Sequence, residues 1–422
     1  MSAIDDLLEP VTVPKVLKVR QIFERPRLCD IEGEIIRGMT SRGALRNARP
    51  GHKVAVAAGS RGISNIPLIL KTVVGCLKDA GCEPFLFPAM GSHGGATAEG
   101  QRRILEDMGV TEDYVGAPIK SGMETVVAGI APNGREVYMD KMASEADAVV
   151  IVNRVKPHVS FRGGCESGLM KMIAIGMGKQ HGADSAHRLG FGQMAENVRA
   201  YAKLVIANKN ILCAVGIIEN AFHETSEIHV MGPDEIERRE PEMLKRAWAL
   251  YPKLFFDKLD VLVLDEIGKD ISGTGFDTNV VGRYHTPYAS GGPDITRICA
   301  LDITDKSHGN GNGLGILDFT TRRAYEKFDF EQSYPNSLTS TVPMSVKIPM
   351  VLKNDIQCVK AAIKTCNAPD ISSVRLVRVK NTVKLDEIEV SEALSPYVNA
   401  HPNLETIEGP CPLPFDGGGN LF

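Results

Sequence analysis

The sequence predicts an α/β protein: two α/β domains with mostly parallel sheets and an active site in the interdomain cleft. Three observations carry that expectation. Short β-branched or apolar runs alternate with segments of helical periodicity through the first 220 residues. A charged helical stretch closed by Pro252 interrupts the alternation, which then resumes. The chain of 422 residues also holds 41 glycines, a share above the ~7 % of average proteins. No repeat or low-complexity tract accounts for the surplus, so glycine marks sharp turns and close backbone approaches.

Strands are expected at Lys53–Ala58, Pro84–Pro88, Ala146–Asn153 and Asn210–Ile217, where β-branched and apolar residues run together. Helices with apolar spacing near 3.6 follow the first two strands, at Ile66–Ala80 and Ala98–Met108. The charged segment Pro233–Pro241, continued by Met243–Tyr251, reads as the connection between domains. This divides the chain into a catalytic and cofactor-binding domain, 1–250, and a second domain, 251–422, that closes over the cleft. The second domain opens with a strand at Leu259–Asp265, has strands at Ile298–Ile303 and Gly315–Phe319, a helix at Asp355–Ile363 and a last strand at Ser373–Arg378. The tail Gly409–Phe422 is too rich in proline and glycine for a helix or a central strand, so it frays or packs as an extended cover.

Composition removes several classes of function. With 48 Lys+Arg against 52 Asp+Glu and no block of like charge, the chain lacks the electrostatic footprint of a nucleic-acid or anionic-membrane partner. The acidic N-terminus has no basic start or apolar run of a signal peptide, and the longest apolar stretch, Ile211–Ile218, is too short to span a membrane. Nine scattered cysteines with no CxxC suit a reducing compartment and offer no zinc or cluster site. A cytoplasmic location is the expectation.

Ligands of open α/β sheets bind at the carboxyl ends of strands, so the residues just after strands come first. After the first strand comes Gly59-Ser60-Arg61-Gly62, after the second Gly91-Ser92-His93-Gly94-Gly95, and after the third Lys156-Pro157-His158. Each of Arg61, His93 and His158 alone reads equally as a solvated or locally hydrogen-bonded loop residue. Three at successive strand ends, two flanked by glycine, point to a shared site. None of these loops matches a dinucleotide fingerprint or a P-loop.

The densest stretch runs from Phe161 to His187. Gly163, Gly164, Ser167 and Gly168 precede a short apolar helix that carries Lys171, and backbone N–H groups at such a helix start form an anion site. A lysine among apolar neighbours has its ammonium form disfavoured and becomes a usable nucleophile; equally, it could snorkel outward from a buried helix. His187 is of the type that ligates late first-row metals, though one histidine is a weak metal signal. In the second domain, Lys269 and the glycines of Gly273-Thr274-Gly275 follow the strand end at Asp265, either as a flap bringing a second positive charge to the cleft or as a plain long loop.

In order and spacing, these residues resemble the nickel-pincer-nucleotide-dependent 2-hydroxyacid racemases and epimerases, the lactate racemase family. The resemblance covers Arg61, Ser92-His93-Gly94, Pro157-His158, Gly163-Gly164 through Ser167-Gly168 to Lys171, His187, and Gly268-Lys269 with Gly273-Thr274-Gly275. It implies that Lys171 forms the covalent link to the nickel-pincer nucleotide, that His187 ligates nickel, and that Gly163, Gly164, Ser167 and Gly168 line the cofactor. His93 and His158 would be the two acid/base groups, Arg61 the carboxylate anchor and Lys269 a second-domain lysine near the substrate. Cofactor-synthesis proteins and a small 2-hydroxy acid are the implied partners.

The implied chemistry agrees with the residue types. The C2 hydrogen of a hydroxy acid is too weakly acidic for a plain base, so its transfer as hydride needs a cofactor as electron sink. The hydroxyl proton sits differently in the two enantiomers, so two bases titrating near neutrality are needed. The sequence departs from the family at Ala58, where an acidic residue is expected, and at Glu266, where a glutamine is expected; Trp248, the single tryptophan, lies in the connecting helix. These departures point to a hydroxy acid other than lactate, such as a sugar acid. Two alternatives remain: a nicotinamide-dependent hydroxyacid dehydrogenase, and a non-enzymatic small-anion binding protein.

Overall fold

A computed structural model describes residues 2–41, 43–60 and 62–422. Its strands are β1 (Val16–Gln21), β2 (Lys53–Ala58), β3 (Glu83–Pro88), β4 (Thr125–Ile130), β5 (Glu136–Asp140), β6 (Ala148–Arg154), β7 (Ile211–Glu219) and β8 (Thr225–Met231). They continue with β9 (Lys258–Ile267), β10 (Asp294–Ile303), β11 (Phe319–Thr321), β12 (Met350–Leu352), β13 (Leu376–Val379), β14 (Glu387–Ser391) and β15 (Leu404–Cys411). The chain forms two compact units, Glu24–Tyr251 and a second one made of Met1–Phe23 with Pro252–Phe422.

The first unit is organised by a five-stranded sheet in the order β3-β2-β6-β7-β8. β2, β3, β6 and β7 run parallel and β8 pairs antiparallel with β7. Parallel strands are covered on both faces, so they read as near-continuous apolar runs: Val54 to Ala58 are all buried, as is the whole of β7. The helix Ile66–Asp79 turns Ile66, Ile69, Leu70, Val73 and Leu77 onto this core, the 3.6-residue spacing that made it legible. β4 and β5 form a separate hairpin.

The second unit holds an eight-stranded sheet, β12-β11-β10-β9-β13-β14-β1-β15. β12, β11, β10, β9 and β13 are parallel; β14, β1 and β15 join antiparallel. Residues 1–23 thus belong with the C-terminal sheet, where the division at 250 had left them in the first domain. The cause is β1, whose Val16 to Arg20 pair with Glu387 to Ser391. The expected strand Gly315–Phe319 is also displaced. Leu314–Ile316 is a 3₁₀ turn, and the strand starts at Phe319, because the Gly315 backbone passes directly against the Met344 carbonyl.

The Pro- and Gly-rich tail supplies β15 at the sheet edge and then an extended cover. Leu413, Phe415 and Leu421 pack on the core, and Leu421 N–H donates to Asp355 at the start of the helix Asp355–Thr365. No helix among the described residues is long and apolar enough to cross a membrane.

Candidate active site

His93 and His158 follow β3 and β6, the two strands that flank β2 in the first unit's sheet. Their side chains therefore start from strand ends on either side of β2. His93 stands in a turn of left-handed glycines: Gly91, Gly94 and Gly95 have φ of 57°, 65° and 64°. Only glycine enters that region without strain, and a Cβ on Gly94 would press into the Gly100–Gln101 backbone. The His93 Nδ1 is hydrogen-bonded to the Ser60 hydroxyl at the end of β2. Gln101 holds the turn from below, its Nε2 donating to the carbonyls of Gly91 at 2.9 Å and His93 at 3.2 Å. Arg61 lies outside the described residues.

The loop after β6 is folded around a carboxylate. Glu166, 2 % exposed, accepts the backbone N–H of His158 at 2.7 Å and of Gly163 at 3.2 Å, with Arg162 at 3.6 Å. Burial pushes the Glu166 carboxyl up, against the pull of those donors. The His158 ring lies tilted against Phe161 with centroids 4.4 Å apart, its Nδ1 accepts the Ser160 N–H at 3.0 Å, and its Nε2 faces Lys171 Nζ at 2.8 Å.

Lys171 ends a three-residue helix, Leu169–Lys171, that passes into a π-helical turn, Met172–Gly176. Such turns are often found at functional sites. The backbone donors expected to be open at this helix start are occupied. Met170 N–H donates to Glu240 Oε2 at 2.7 Å, and a methyl on Gly168 would collide with the same carboxylate. Burial raises the Glu240 pKa to about 7. Ser167 pairs through its backbone with Lys156, and a Cβ on Gly163 would meet Ala195, whereas Gly164 faces open space but for Pro241 at 3.9 Å.

The helix Lys179–His187 then brings His187 back. Its ring meets Phe191 edge-on at 5.3 Å, and Phe191 in turn lies 6.2 Å from His158. His187 Nδ1 is buried without a hydrogen-bond partner among the described residues. Burial first and the charge of Lys171 second push its pKa down to about 4, so the imidazole is neutral at physiological pH. A neutral imidazole with an unsatisfied nitrogen is what a metal ion requires of a histidine ligand.

At its first residue that helix is pinned by a buried cation. Lys179 adopts a left-handed φ of 53°, and its ammonium meets Asp140 Oδ2 at 3.1 Å, Gln101 Oε1 at 3.3 Å and the Pro88 carbonyl. Since Gln101 also holds the His93 turn, one buried network joins the end of β3 to the helix carrying His187.

In the second unit, Lys269 Nζ donates to the Gly273 carbonyl at 2.8 Å and its backbone N–H to Ser307 Oγ at 2.7 Å. Glu266 accepts from Asn381 at 2.7 Å. His285, which the sequence did not single out, is buried in this unit, and burial with the nearby Lys269 charge lowers its pKa to about 4.

Residues 37–198 match the family model described as the lactate racemase N-terminal domain. Over that segment the chain is similar to the lactate racemase family. His93, His158, Lys171 and His187 all fall within it. The lactate racemase apoprotein from Thermoanaerobacterium thermosaccharolyticum has the same fold, with a TM-score of 0.53 at 12 % identity over 88 % of this chain and 99 % of that one. No curated protein matches the sequence significantly.

Ser60, Glu166 and Phe191 within the matched segment, and Glu240 beyond it, escaped the sequence reading although each touches an expected site residue or the backbone beside it. Only Glu166 carried a signal: a lone carboxylate inside Gly163-Gly164-Cys165-Glu166-Ser167-Gly168, where glycines bare the amides it binds.

Proposed function

We propose that this protein is a 2-hydroxyacid racemase or epimerase that inverts the 2-carbon of a small hydroxy acid with a nickel-pincer nucleotide. The observation that carries this reading is the pairing of His158 with Lys171 at 2.8 Å beside a neutral His187 whose Nδ1 has no hydrogen-bond partner among the described residues, in a segment similar to the lactate racemase N-terminal domain. Two of the residues fit the cofactor: His187 would ligate nickel and Lys171 would carry the covalent link. Of the glycine-rich loop, Gly164 would lie along the nucleotide, since Glu240 fills the space at Gly168, Ser167 pairs with Lys156 and Gly163 is bound to Glu166.

When bound, such a group supplies a reversible acceptor for the C2 hydride. The chain's own residues handle the rest. His93 and His158 take up and return the hydroxyl proton, one for each enantiomer, because inversion moves the hydroxyl relative to a fixed carboxylate. Ser60 fixes the His93 ring through Nδ1, and Phe161 with Glu166 fixes His158. Arg61 would anchor the carboxylate with two parallel hydrogen bonds, and Lys269 would add a second positive charge near the substrate. Glu266, in place of the expected glutamine, favours a hydroxylated substrate such as a sugar acid over lactate.

Intact mass and nickel content test this on protein made together with the cofactor-synthesis proteins. A covalent nucleotide adduct that is lost in Lys171→Ala, with nickel lost in His187→Ala, supports the reading. A wild-type protein without adduct under those conditions overturns it.

A further inference from the structure

The loop that follows β2 is tied down on both sides of Arg61 in the sequence. At Ser60 the tie is the His93 ring. At Ser64 it is a pair of residues that face each other across β7 and β8, Glu219 and Thr225. Glu219 Oε1 accepts the Ser64 N–H at 2.7 Å. Thr225 Oγ1 donates to the Ser64 carbonyl at 3.2 Å and accepts from Asn65 Nδ2 at 3.0 Å. A hydroxyl has one proton to give and lone pairs to receive, so both Thr225 contacts are made at once. Asn65 then starts the helix Ile66–Asp79 from a left-handed φ of 59°.

The sheet order is β2-β6-β7, so the loop reaches across the carboxyl end of β6 to meet Glu219. Arg154 stands at that end and pairs with Glu219 Oε2, and His223 Nδ1 lies 3.8 Å from the same oxygen. Burial pushes the Glu219 carboxyl up, but the Arg154 guanidinium, with the hydrogen bonds of His223 and the Ser64 N–H, outweighs it and holds the pKa down to about 2. The carboxylate is therefore charged at physiological pH, and its bond to the Ser64 N–H is a charge-assisted one. The hydride and proton transfers of the proposed reaction call for neither Glu219 nor Thr225.

We infer that Glu219 and Thr225 are positioning residues that hold the β2 loop so that Arg61 can bind the substrate carboxylate. The inference rests on the reading of Arg61 as the carboxylate anchor. An arginine that grips a carboxylate through two parallel hydrogen bonds needs a fixed backbone, because a shift of the loop weakens both bonds together. The anchor serves the bound acid and the inverting acid alike, so loosening it raises KM and leaves kcat nearly unchanged.

Thr225 gives the cleaner test, since serine keeps its hydroxyl and valine keeps its shape. KM and kcat are measured on protein loaded with nickel and the nucleotide, with whichever of lactate and several aldonic acids it inverts fastest. Thr225→Val and Glu219→Ala should each raise KM about tenfold with kcat within about twofold, and Thr225→Ser should stay within about threefold of the wild type. A role in the sheet alone predicts the reverse order for the two Thr225 variants, because valine favours a strand more than serine does. An unchanged KM in Thr225→Val, or an equal rise in Thr225→Val and Thr225→Ser, overturns the inference.

Amide hydrogen exchange of the cofactor-free protein is the second readout. Thr225→Val and Glu219→Ala should quicken exchange at Ser64 before they do so in β7, and a Ser64 N–H as protected in both variants as in the wild type overturns the inference. If Arg61→Ala has the KM of the wild type, the anchor reading and this inference fall together, while the racemase reading stands. If the loaded wild type inverts none of the acids, the racemase reading falls, and the exchange at Ser64 decides whether Glu219 and Thr225 hold the loop.

Discussion

Glu166 Oε2 accepts the backbone N–H of His158 at 2.7 Å, from a side chain that is itself buried. One carboxylate therefore holds the polypeptide that presents the His158 ring, and through Gly163 N–H it also closes the glycine-rich turn leading to Lys171.

Removing that carboxylate leaves two amides short of a partner in a mostly buried loop. At about 1–3 kcal/mol for an unsatisfied buried donor, Glu166→Ala should cost on the order of 3 kcal/mol in urea unfolding. Glu166→Gln keeps an acceptor oxygen and should cost less than half as much. Equal losses in the two variants would mean that the hydrogen bonds to the loop matter less than the volume of the side chain.

Glu240 gives the stability a distinctive pH dependence. Burial holds its carboxyl near 7, whereas in the unfolded chain it titrates near 4.5. Between those values the unfolded chain has released the proton and the folded one keeps it. Its contribution is therefore fully present below about pH 4.5, is lost as pH rises through 7, and then levels off. Glu240→Gln, uncharged throughout, should gain on the wild type by on the order of 3 kcal/mol across that window. Unfolding free energies of the two proteins measured from mildly acidic to mildly alkaline pH check this, and parallel profiles would contradict it.

Lys179 and Asp140 are both 0 % exposed, with 3.1 Å between their charged atoms. Breaking a buried pair by removing one partner leaves an uncompensated charge, at a cost of about 3–5 kcal/mol. Lys179→Met should show that loss, and adding Asp140→Asn should recover at least about 1 kcal/mol of it. Because Lys179 also contacts Gln101 and Pro88, amide hydrogen exchange should quicken in Gly91–Ala96 before it does in β7. Uniform acceleration across the sheet would show that the pair supports the fold as a whole and not the His93 turn.

Much of this architecture is written locally in the chain. β2 matches its expected span, Lys53–Ala58, and the helices Ile66–Asp79 and Ala98–Asp107 end within a residue of expectation, because parallel strands and amphipathic helices leave apolar patterns that need no partner to read. The helix Asp355–Thr365 starts where expected, capped by Asn354 at Gln357 N–H, and runs two residues past the expected end at Ile363. What escaped depends on distant segments. β1 is unremarkable until Glu387–Ser391 pairs with it, and the role of Gly315 appears only when Met344 passes over it.

The site divides the same way. The positions of His93, His158, Lys171 and His187 were legible from glycine-flanked strand ends and motif spacing. Their chemistry was not. That Lys171 meets His158 and does not snorkel outward depends on how the loop after β6 folds back, and the open anion site expected at Gly168 is filled by Glu240, which lies on a helix beyond β8.

The central claim is that the protein inverts a hydroxy acid at C2. It is tested most directly by giving nickel- and nucleotide-loaded protein single enantiomers of lactate and of several aldonic acids, each deuterated at C2, and following the products by chiral chromatography and mass spectrometry. The account predicts that at least one acid, an aldonate before lactate, reaches a mixture of both C2 configurations with its deuterium retained, and that His93→Ala and His158→Ala each stop it. Tight binding of the acids without inversion, or inversion with complete loss of deuterium to water, would contradict it.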